Sequence, residues 1–188
     1  MGASGTGKTT LGALLGVKGA TRRIKANGHY VLSSEVEEGK ISGLVFSKTT
    51  VLPGQLHFRR TRVWEPYLKK LAADHYKGVI HVVSGGYHSF DGASYRDLYP
   101  GKPFKSPSEF LKHHLEICRE REREVIKALS DALQRRRKDI WIMTLITKED
   151  IWAKQHGPIC SLYSQGPYQD LLQETERRMT IKPRHVRA

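Results

Sequence analysis

An α/β protein with a mostly parallel sheet and helices on both faces is the fold class that the sequence predicts. Two short apolar runs, residues 79–83 and 140–146, are typical of parallel strands buried on both faces. Between them, residues 107–137 carry apolar side chains at three- and four-residue spacing, which predicts a long helix. Strands and helices that alternate in this order imply a parallel sheet covered by helices.

Local patterns predict the other elements. Ser106 is expected to cap the long helix, because Pro107 suits the first helical position and Glu109 completes an S-x-x-E capping box. The alternating charges of residues 119–124 within that helix indicate a solvated face. The shorter elements are a helix at 9–15, strands at 30–37 and 41–51 joined by a turn at Glu38 and Gly39, and a helix at 59–73 in which Pro66 marks either a kink or the start.

The composition favours a protein with a buried core and an anionic partner. Apolar residues make up 38% of the 188, and 32 Lys and Arg against 19 Asp and Glu give a net charge of +13. Such an excess is typical of proteins that bind nucleotides, nucleic acids or acidic membrane surfaces. Cys118 and Cys160 are too few for a disulfide scaffold and too far apart in sequence for a clustered zinc site. No apolar stretch approaches the roughly 20 residues that span a bilayer, and no signal-peptide pattern is present, so a cytoplasmic protein is expected.

The strongest motif lies at residues 2–9 (GASGTGKT), which match the pattern G-x-x-x-x-G-K-[ST]. Glycines in this pattern let the backbone wrap around a pyrophosphate with its N–H groups pointing inward. A helix that begins near Lys8 directs its positive end at the same phosphates. The Lys8 ammonium would reach the β and γ oxygens, and the Thr9 hydroxyl would ligate Mg²⁺. The expected phosphate contacts are Gly2, Gly5, Thr6, Gly7, Lys8, Thr9 and Thr10.

A second motif follows the strand predicted at residues 140–146. Residues 147–150 (TKED) match [NT]-K-x-D, in which the Asp carboxylate accepts hydrogen bonds from N1–H and the exocyclic amine of guanine. Adenine offers neither donor in that arrangement and would leave the carboxylate unpaired. The carboxyl end of a strand is also where α/β sheets bind their ligands. The predicted base contacts are therefore Thr147, Lys148 and Asp150.

With these two motifs, the sequence resembles the Ras-like small GTPases, which belong to the P-loop NTPases. Residues 51–55 (VLPGQ) occupy the place of the family's D-x-x-G-Q segment. The resemblance implies that Gly54 donates its N–H to the γ-phosphate and that Gln55 orients the attacking water. The chain departs from the family at Val51, which stands where the family has an Asp that holds Mg²⁺ through a water. Weaker Mg²⁺ retention and slow hydrolysis are therefore expected.

The resemblance also implies cofactors, partners and domain limits. GTP or GDP would bind with Mg²⁺, Thr9 and Thr21 would ligate the metal, and Lys8 and Gln55 would act in the hydrolysis of GTP to GDP and phosphate. A GTPase-like domain would cover residues 1–176, with an insertion at about 87–138, before a flexible basic tail at 177–188. A protein effector would be a partner, whereas nucleic-acid binding would follow only from the generic positive charge. The family's strand before the glycine-rich loop and its last strand are not found, so a divergent copy truncated at both ends is expected.

Two other functions remain open from the sequence. The chain could be an ATP-binding P-loop protein in which the match at residues 147–150 is coincidental. It could instead be a degenerate, non-catalytic nucleotide-binding or scaffold module whose basic surface contacts nucleic acid or protein. Titration with GTP and ATP separates the GTPase from the ATP-binding protein. Turnover no faster than the uncatalysed rate favours the non-catalytic module.

Overall fold

The computed structural model describes residues 1–3, 5–14, 37–40, 48–52, 63–88, 99–100, 103–136 and 138–178. The helices in these ranges are α1 (Lys8–Leu14), α2 (Glu65–Ala72), α3 (Pro107–Leu133), α4 (Glu149–Trp152), α5 (His156–Ser164) and α6 (Gly166–Arg178), with a 3-10 turn at Ala153–Gln155. The strands are β1 (Glu37–Lys40), β2 (Lys48–Val51), β3 (Gly78–Val83) and β4 (Trp141–Ile146). None of these helices is long and apolar enough to cross a bilayer. The described residues form a mixed α/β protein, which confirms the α/β part of the predicted fold class.

β3 and β4 form a parallel sheet, and they pair in register over all six residues of each strand. The beginning of the chain lies along the other edge of β3, where Val82 donates its N–H to the Met1 carbonyl at 2.7 Å. Gly2 continues this contact as a parallel bridge to Val82. The second sheet of the described residues is the antiparallel pair of β1 and β2, so the predicted mostly parallel sheet is seen only in part.

α3 connects β3 to β4 and supplies much of the core. Parallel neighbours cannot be joined by a tight hairpin, so the chain crosses over through this helix. Its apolar residues recur at three- and four-residue spacing and therefore form one stripe along the helix. The helix packs against α2 and α6. The stripe residues that are fully buried are Val125, Ile126, Leu129 and Leu133. Each such side chain contributes about 1.5–3 kcal/mol when it is removed from water.

The start of α3 is capped by Ser106, as predicted. The Ser106 hydroxyl accepts the backbone N–H of Glu109 at 3.2 Å. The Glu109 carboxylate reaches one residue further back than the capping box requires and accepts the N–H of Lys105 at 2.7 Å. Two backbone N–H groups at the helix start therefore have acceptors.

α3 ends at Leu133, so the prediction that it continues to residue 137 is wrong. The Arg136 side chain explains the difference, because only 1% of it is exposed. Its guanidinium donates to the carbonyls of Leu71 and Tyr76 and lies 3.2 Å from the Asp74 carboxylate. The chain turns at residues 134 and 135 and thereby directs this charge into the protein.

The predicted turn between the first two strands is also misplaced. β1 pairs with β2 along its whole length, from Glu37 opposite Val51 to Lys40 opposite Lys48. Glu38 and Gly39 therefore lie inside β1, because a turn there would leave them no partners in β2. The connection between the paired residues is 41–47, which lies outside the described part of the chain.

Pro66 marks the start of its helix and does not kink it. α2 begins at Glu65, with Pro66 in its first turn, whereas residues 63 and 64 form a turn and are not helical. A proline is accepted there because the first N–H groups of a helix have no partner inside the helix. The predicted helix at 59–73 therefore includes residues 63 and 64 wrongly.

Candidate functional site

The glycine-rich loop begins beside β3, and its glycines are required by geometry. A side chain at Gly2 would overlap with the Val82 carbonyl. Gly5 has φ +75° and Gly7 has φ +88°, a region that residues with a side chain rarely adopt. α1 begins immediately afterwards, at Lys8. The loop therefore reverses tightly between the edge of β3 and the first helix.

The two sequence motifs meet through a hydrogen bond between Thr147 and Thr6. The Thr147 hydroxyl oxygen lies 2.8 Å from the Thr6 carbonyl oxygen, although the two residues are 141 positions apart. The same hydroxyl lies 3.0 Å from the carbonyl of Val83, and the Thr147 N–H donates to that carbonyl at 2.9 Å. A side chain at Gly7 would approach the Thr147 hydroxyl to 3.6 Å. The loop after β4 is thus held directly against the glycine-rich loop.

Lys8 is largely buried and turns its charge toward the glycine-rich loop. Its ammonium donates to the Ala3 carbonyl, which also accepts the Thr6 hydroxyl at 3.0 Å. An ammonium carries three donors, and an anion is a stronger acceptor than a backbone carbonyl. The position of Lys8 at the end of the loop is compatible with contact to a bound phosphate.

Lys148 connects the loop after β4 to the loop after β3. It has φ +65°, which is rare for a residue other than glycine, and its ammonium donates to the Tyr87 carbonyl at 2.7 Å. Burial lowers the pKa of Lys148 to about 8, although the nearby Asp150 carboxylate acts in the opposite direction. The segment 147–150 therefore carries a partly desolvated ammonium.

Asp150 lies on the solvent side of this segment, in the first turn of α4, and is exposed. A hydrogen bond fixes this turn, because the Trp152 indole N–H donates to the Thr147 carbonyl at 2.8 Å. The N–H of Ile151 donates to the Lys148 carbonyl at 3.0 Å. An exposed carboxylate on a well-fixed turn is accessible to a ligand and needs little ordering when the ligand binds.

A buried carboxylate at Glu122 is the feature that the sequence prediction missed. Only 1% of Glu122 is exposed, so the prediction of a solvated face for residues 119–124 is wrong at this position. Glu122 accepts the Ser84 N–H at 2.9 Å and the Tyr163 hydroxyl, and His88 Nε2 lies 2.9 Å from the same carboxylate. The signal was its place on the apolar stripe, four residues before the buried Ile126.

Burial changes the acid–base behaviour of the groups around Glu122. Desolvation lowers the pKa of His88, and the Glu122 carboxylate opposes this without reversing it. Desolvation raises the pKa of the Tyr163 phenol well above its ordinary value, and the charge of Glu122 adds to that shift. Because a carboxylate can only accept, His88 Nε2 and the Tyr163 hydroxyl both donate to Glu122.

The structure places some of the predicted site residues together and does not describe others. The residues brought to one place are Gly2, Gly5, Thr6, Gly7 and Lys8 of the first motif, with Thr147 and Lys148 of the second. Thr9 and Thr10 lie in the first turn of α1. Thr21, Gly54 and Gln55 lie outside the described residues, and Val51 ends β2. Within the described ranges, no group of three or more His, Cys, Asp or Glu side chains could hold a metal ion.

Comparison with protein-family models, with curated proteins and with solved structures gave no match. Function is therefore inferred from the chain's own residues. The Thr6–Thr147 contact and the positive φ angles of Gly5 and Gly7 are the features that carry most weight.

Proposed function

We propose that this protein binds a guanine nucleotide with Mg²⁺ and hydrolyses GTP slowly. The observation that carries the proposal is the hydrogen bond from Thr147 to the Thr6 carbonyl at 2.8 Å. It joins a loop whose pattern is suited to phosphates with a loop whose pattern is suited to guanine. One nucleotide can then contact both loops at once.

The phosphates would bind in the glycine-rich loop. Gly5 and Gly7 hold left-handed backbone angles, and successive N–H groups in such turns form a concave site for anions. Lys8 would transfer a donor from the Ala3 carbonyl to a phosphate oxygen, which is the stronger acceptor because it carries charge. The residues of the loop therefore fit a polyphosphate.

The base would bind against the loop after β4. The exposed Asp150 carboxylate would accept N1–H and the exocyclic amine of guanine, whereas adenine would leave it without donors. Lys148 and Thr147 fix the backbone of this loop through Tyr87 and Thr6. Base choice would thus depend on one carboxylate held on a rigid turn.

Hydrolysis would use residues that the resemblance identifies. Thr9 and Thr21 are the residues predicted to hold Mg²⁺, which would supply positive charge to stabilise the charge that develops on the phosphates. Gly54 would contact the γ-phosphate and Gln55 would orient the attacking water. Because Val51 replaces the family's Asp, metal retention is weak and turnover slow in this proposal.

Titration with fluorescent GTP and ATP analogues in the presence of Mg²⁺ tests the proposal. We expect GTP to bind more tightly than ATP and Lys8→Met to weaken GTP binding at least tenfold, because a charged hydrogen bond is worth about 1.5–3 kcal/mol. Lys69→Met is the matched control, since Lys69 is exposed on α2 and pairs there with Glu65 at 2.7 Å. Equal affinity for both nucleotides supports the ATP alternative, and no binding of either contradicts the proposal.

A further inference from the structure

We propose that Glu122 and His88 form a positioning pair, which holds the Tyr87 carbonyl on the Lys148 ammonium and so prepares the base-binding loop. This inference rests on the proposed guanine site for its functional consequence. The arrangement itself is visible without any nucleotide. It assigns a role to a buried carboxylate and a buried histidine that the nucleotide chemistry does not otherwise use.

The turn after β3 has a fixed conformation. Gly85 has φ +66° and Gly86 has φ +88°, and a side chain at Gly86 would approach the Leu115 carbonyl to 2.5 Å. Arg119 donates to the Gly85 carbonyl at 3.0 Å. The turn is therefore confined against α3, and its direction determines where residues 87 and 88 lie.

The His88 side chain anchors the end of this turn. His88 follows Tyr87 directly, and 4% of its side chain is exposed. Its Nε2 donates to Glu122 at 2.9 Å, while its Nδ1 is buried and has no hydrogen-bond partner among the described residues. Glu122 is itself fixed by the Ser84 N–H and the Tyr163 hydroxyl. Tyr87 is thus held between a confined turn and the His88 side chain, which is bonded to a buried carboxylate.

This anchor controls the contact between Tyr87 and Lys148. The Tyr87 carbonyl accepts the Lys148 ammonium at 2.7 Å, and Lys148 follows Thr147, which contacts Thr6. If His88 loses its hold on Glu122, we expect the Tyr87 carbonyl to turn away from Lys148, which then loses this acceptor. The loop that presents Asp150 is then less well ordered before the nucleotide arrives, which weakens binding.

Several charged groups face this pair and have to be considered together. Around His88 these are Glu122 of α3, Lys148 after β4, and Lys8 at the start of α1. His114 of α3 is also close: burial lowers its pKa most, and the charges of Arg121 and His88 act in the same direction. Around Lys148 they are Asp150 of α4 with Cys118 and Glu122 of α3. The variants below keep all of these groups except His88 unchanged.

Two amide substitutions test the pair, because they differ by one methylene. In His88→Gln, the amide nitrogen takes the place of Nε2 and can still donate to Glu122. In His88→Asn, the amide takes the place of Nδ1 and falls short. His75→Asn is the control, since His75 is exposed between α2 and β3.

The first readout is competitive acetylation of Lys148 with acetic anhydride over about pH 6 to 11, followed by mass spectrometry without nucleotide. We expect a midpoint at about 8 for Lys148 in the unchanged protein, in His88→Gln and in His75→Asn. In His88→Asn, the midpoint should rise by about one unit or more toward the ordinary value near 10.4, because Lys148 enters water. A midpoint near 10.4 in the unchanged protein overturns the inference, even if His88→Asn does not fold. An unshifted midpoint in folded His88→Asn overturns it as well.

The second readout is the affinity for a fluorescent GTP analogue. His88→Asn should bind about tenfold more weakly than the unchanged protein, and His88→Gln should stay within about twofold. Equal affinity in both variants contradicts the role in binding. If the unchanged protein binds no nucleotide, the proposed function fails, whereas the acetylation result still decides whether Glu122 and His88 position Lys148.

Discussion

The Thr147 hydroxyl donates to the carbonyl of Thr6 at 2.8 Å, so that a side chain of the loop after β4 contacts the backbone of the glycine-rich loop. Neither residue carries charge, and neither would be selected as catalytic. Their contact nevertheless decides that the glycine-rich loop and the segment 147–150 face one another. The proposed function depends on that proximity.

Removing this hydroxyl should separate the loops. We expect Thr147→Val to lower the free energy of unfolding by about 1–3 kcal/mol, because the buried Thr6 carbonyl loses its donor. Thr147→Ser keeps the hydroxyl and should remain within about 1 kcal/mol of the unchanged protein. Urea unfolding measures both, and an equal loss in the two variants would contradict this role of the hydroxyl, because serine retains it.

Gly7 should not tolerate a side chain. Gly7→Ala places a Cβ on a residue with φ +88°, which is expected to cost about 1–2 kcal/mol and to disturb the contact with Thr147. Gly157→Ala is the matched control, because nothing lies within 4 Å of its Cβ and alanine favours the helix α5. Thermal unfolding of the two variants should therefore change in opposite directions. A stabilised Gly7→Ala protein would contradict the described loop conformation.

Loss of the buried carboxylate should be the most destabilising of these changes. Glu122→Ala leaves the Ser84 N–H, the His88 Nε2 and the Tyr163 hydroxyl without their acceptor, for which we expect a loss of about 3–5 kcal/mol. Glu120→Ala, two residues earlier and 58% exposed beside Arg123, should change the stability by about 1 kcal/mol or less. Chemical denaturation separates the two. Similar small losses would mean that Glu122 is not buried.

Acid should weaken the fold through His88. Its pKa in the folded protein lies below the unfolded value near 6.5, so the unfolded chain binds the proton first. The contribution to stability is therefore complete above about pH 6.5 and is lost as the pH falls toward the folded pKa. His114 shifts in the same direction, so some slope should remain in His88→Gln. Urea midpoints measured between about pH 5 and 7 should fall less steeply in His88→Gln than in the unchanged protein, and identical slopes would contradict this.

The elements that the sequence predicts well are those with a local signal. Residues 79–83 and 140–146 are continuous apolar runs, and both are found as parallel strands. Ser106 caps α3 because its partner, Glu109, is three residues away. The end of α3 near Arg136 and the burial of Glu122 were predicted wrongly for the opposite reason. The partners of these two side chains, Leu71 and Tyr163, are 65 and 41 residues away, and tertiary contact overrides the preference of a charged side chain for water.

The candidate site divides in the same way. The phosphate motif at residues 2–9 and the base motif at 147–150 are visible as patterns, and the structure brings Thr6 and Thr147 together. The link from Glu122 through His88 to Lys148 has no pattern, because it combines three elements that are distant in sequence. The predicted roles of Thr21, Gly54 and Gln55 stay predictions, since those residues lie outside the described ranges.

Base exchange tests the central claim most directly. In Asp150→Asn, the amide donates where the carboxylate accepts, so xanthine, which carries an oxygen in place of the guanine amine, becomes the better partner. Glu149→Gln is the matched control, because it removes one negative charge from the adjacent residue. We expect Asp150→Asn to prefer xanthosine triphosphate over GTP and Glu149→Gln to keep the preference for GTP. An Asp150→Asn protein that binds GTP as tightly as the unchanged protein would contradict guanine recognition by this loop.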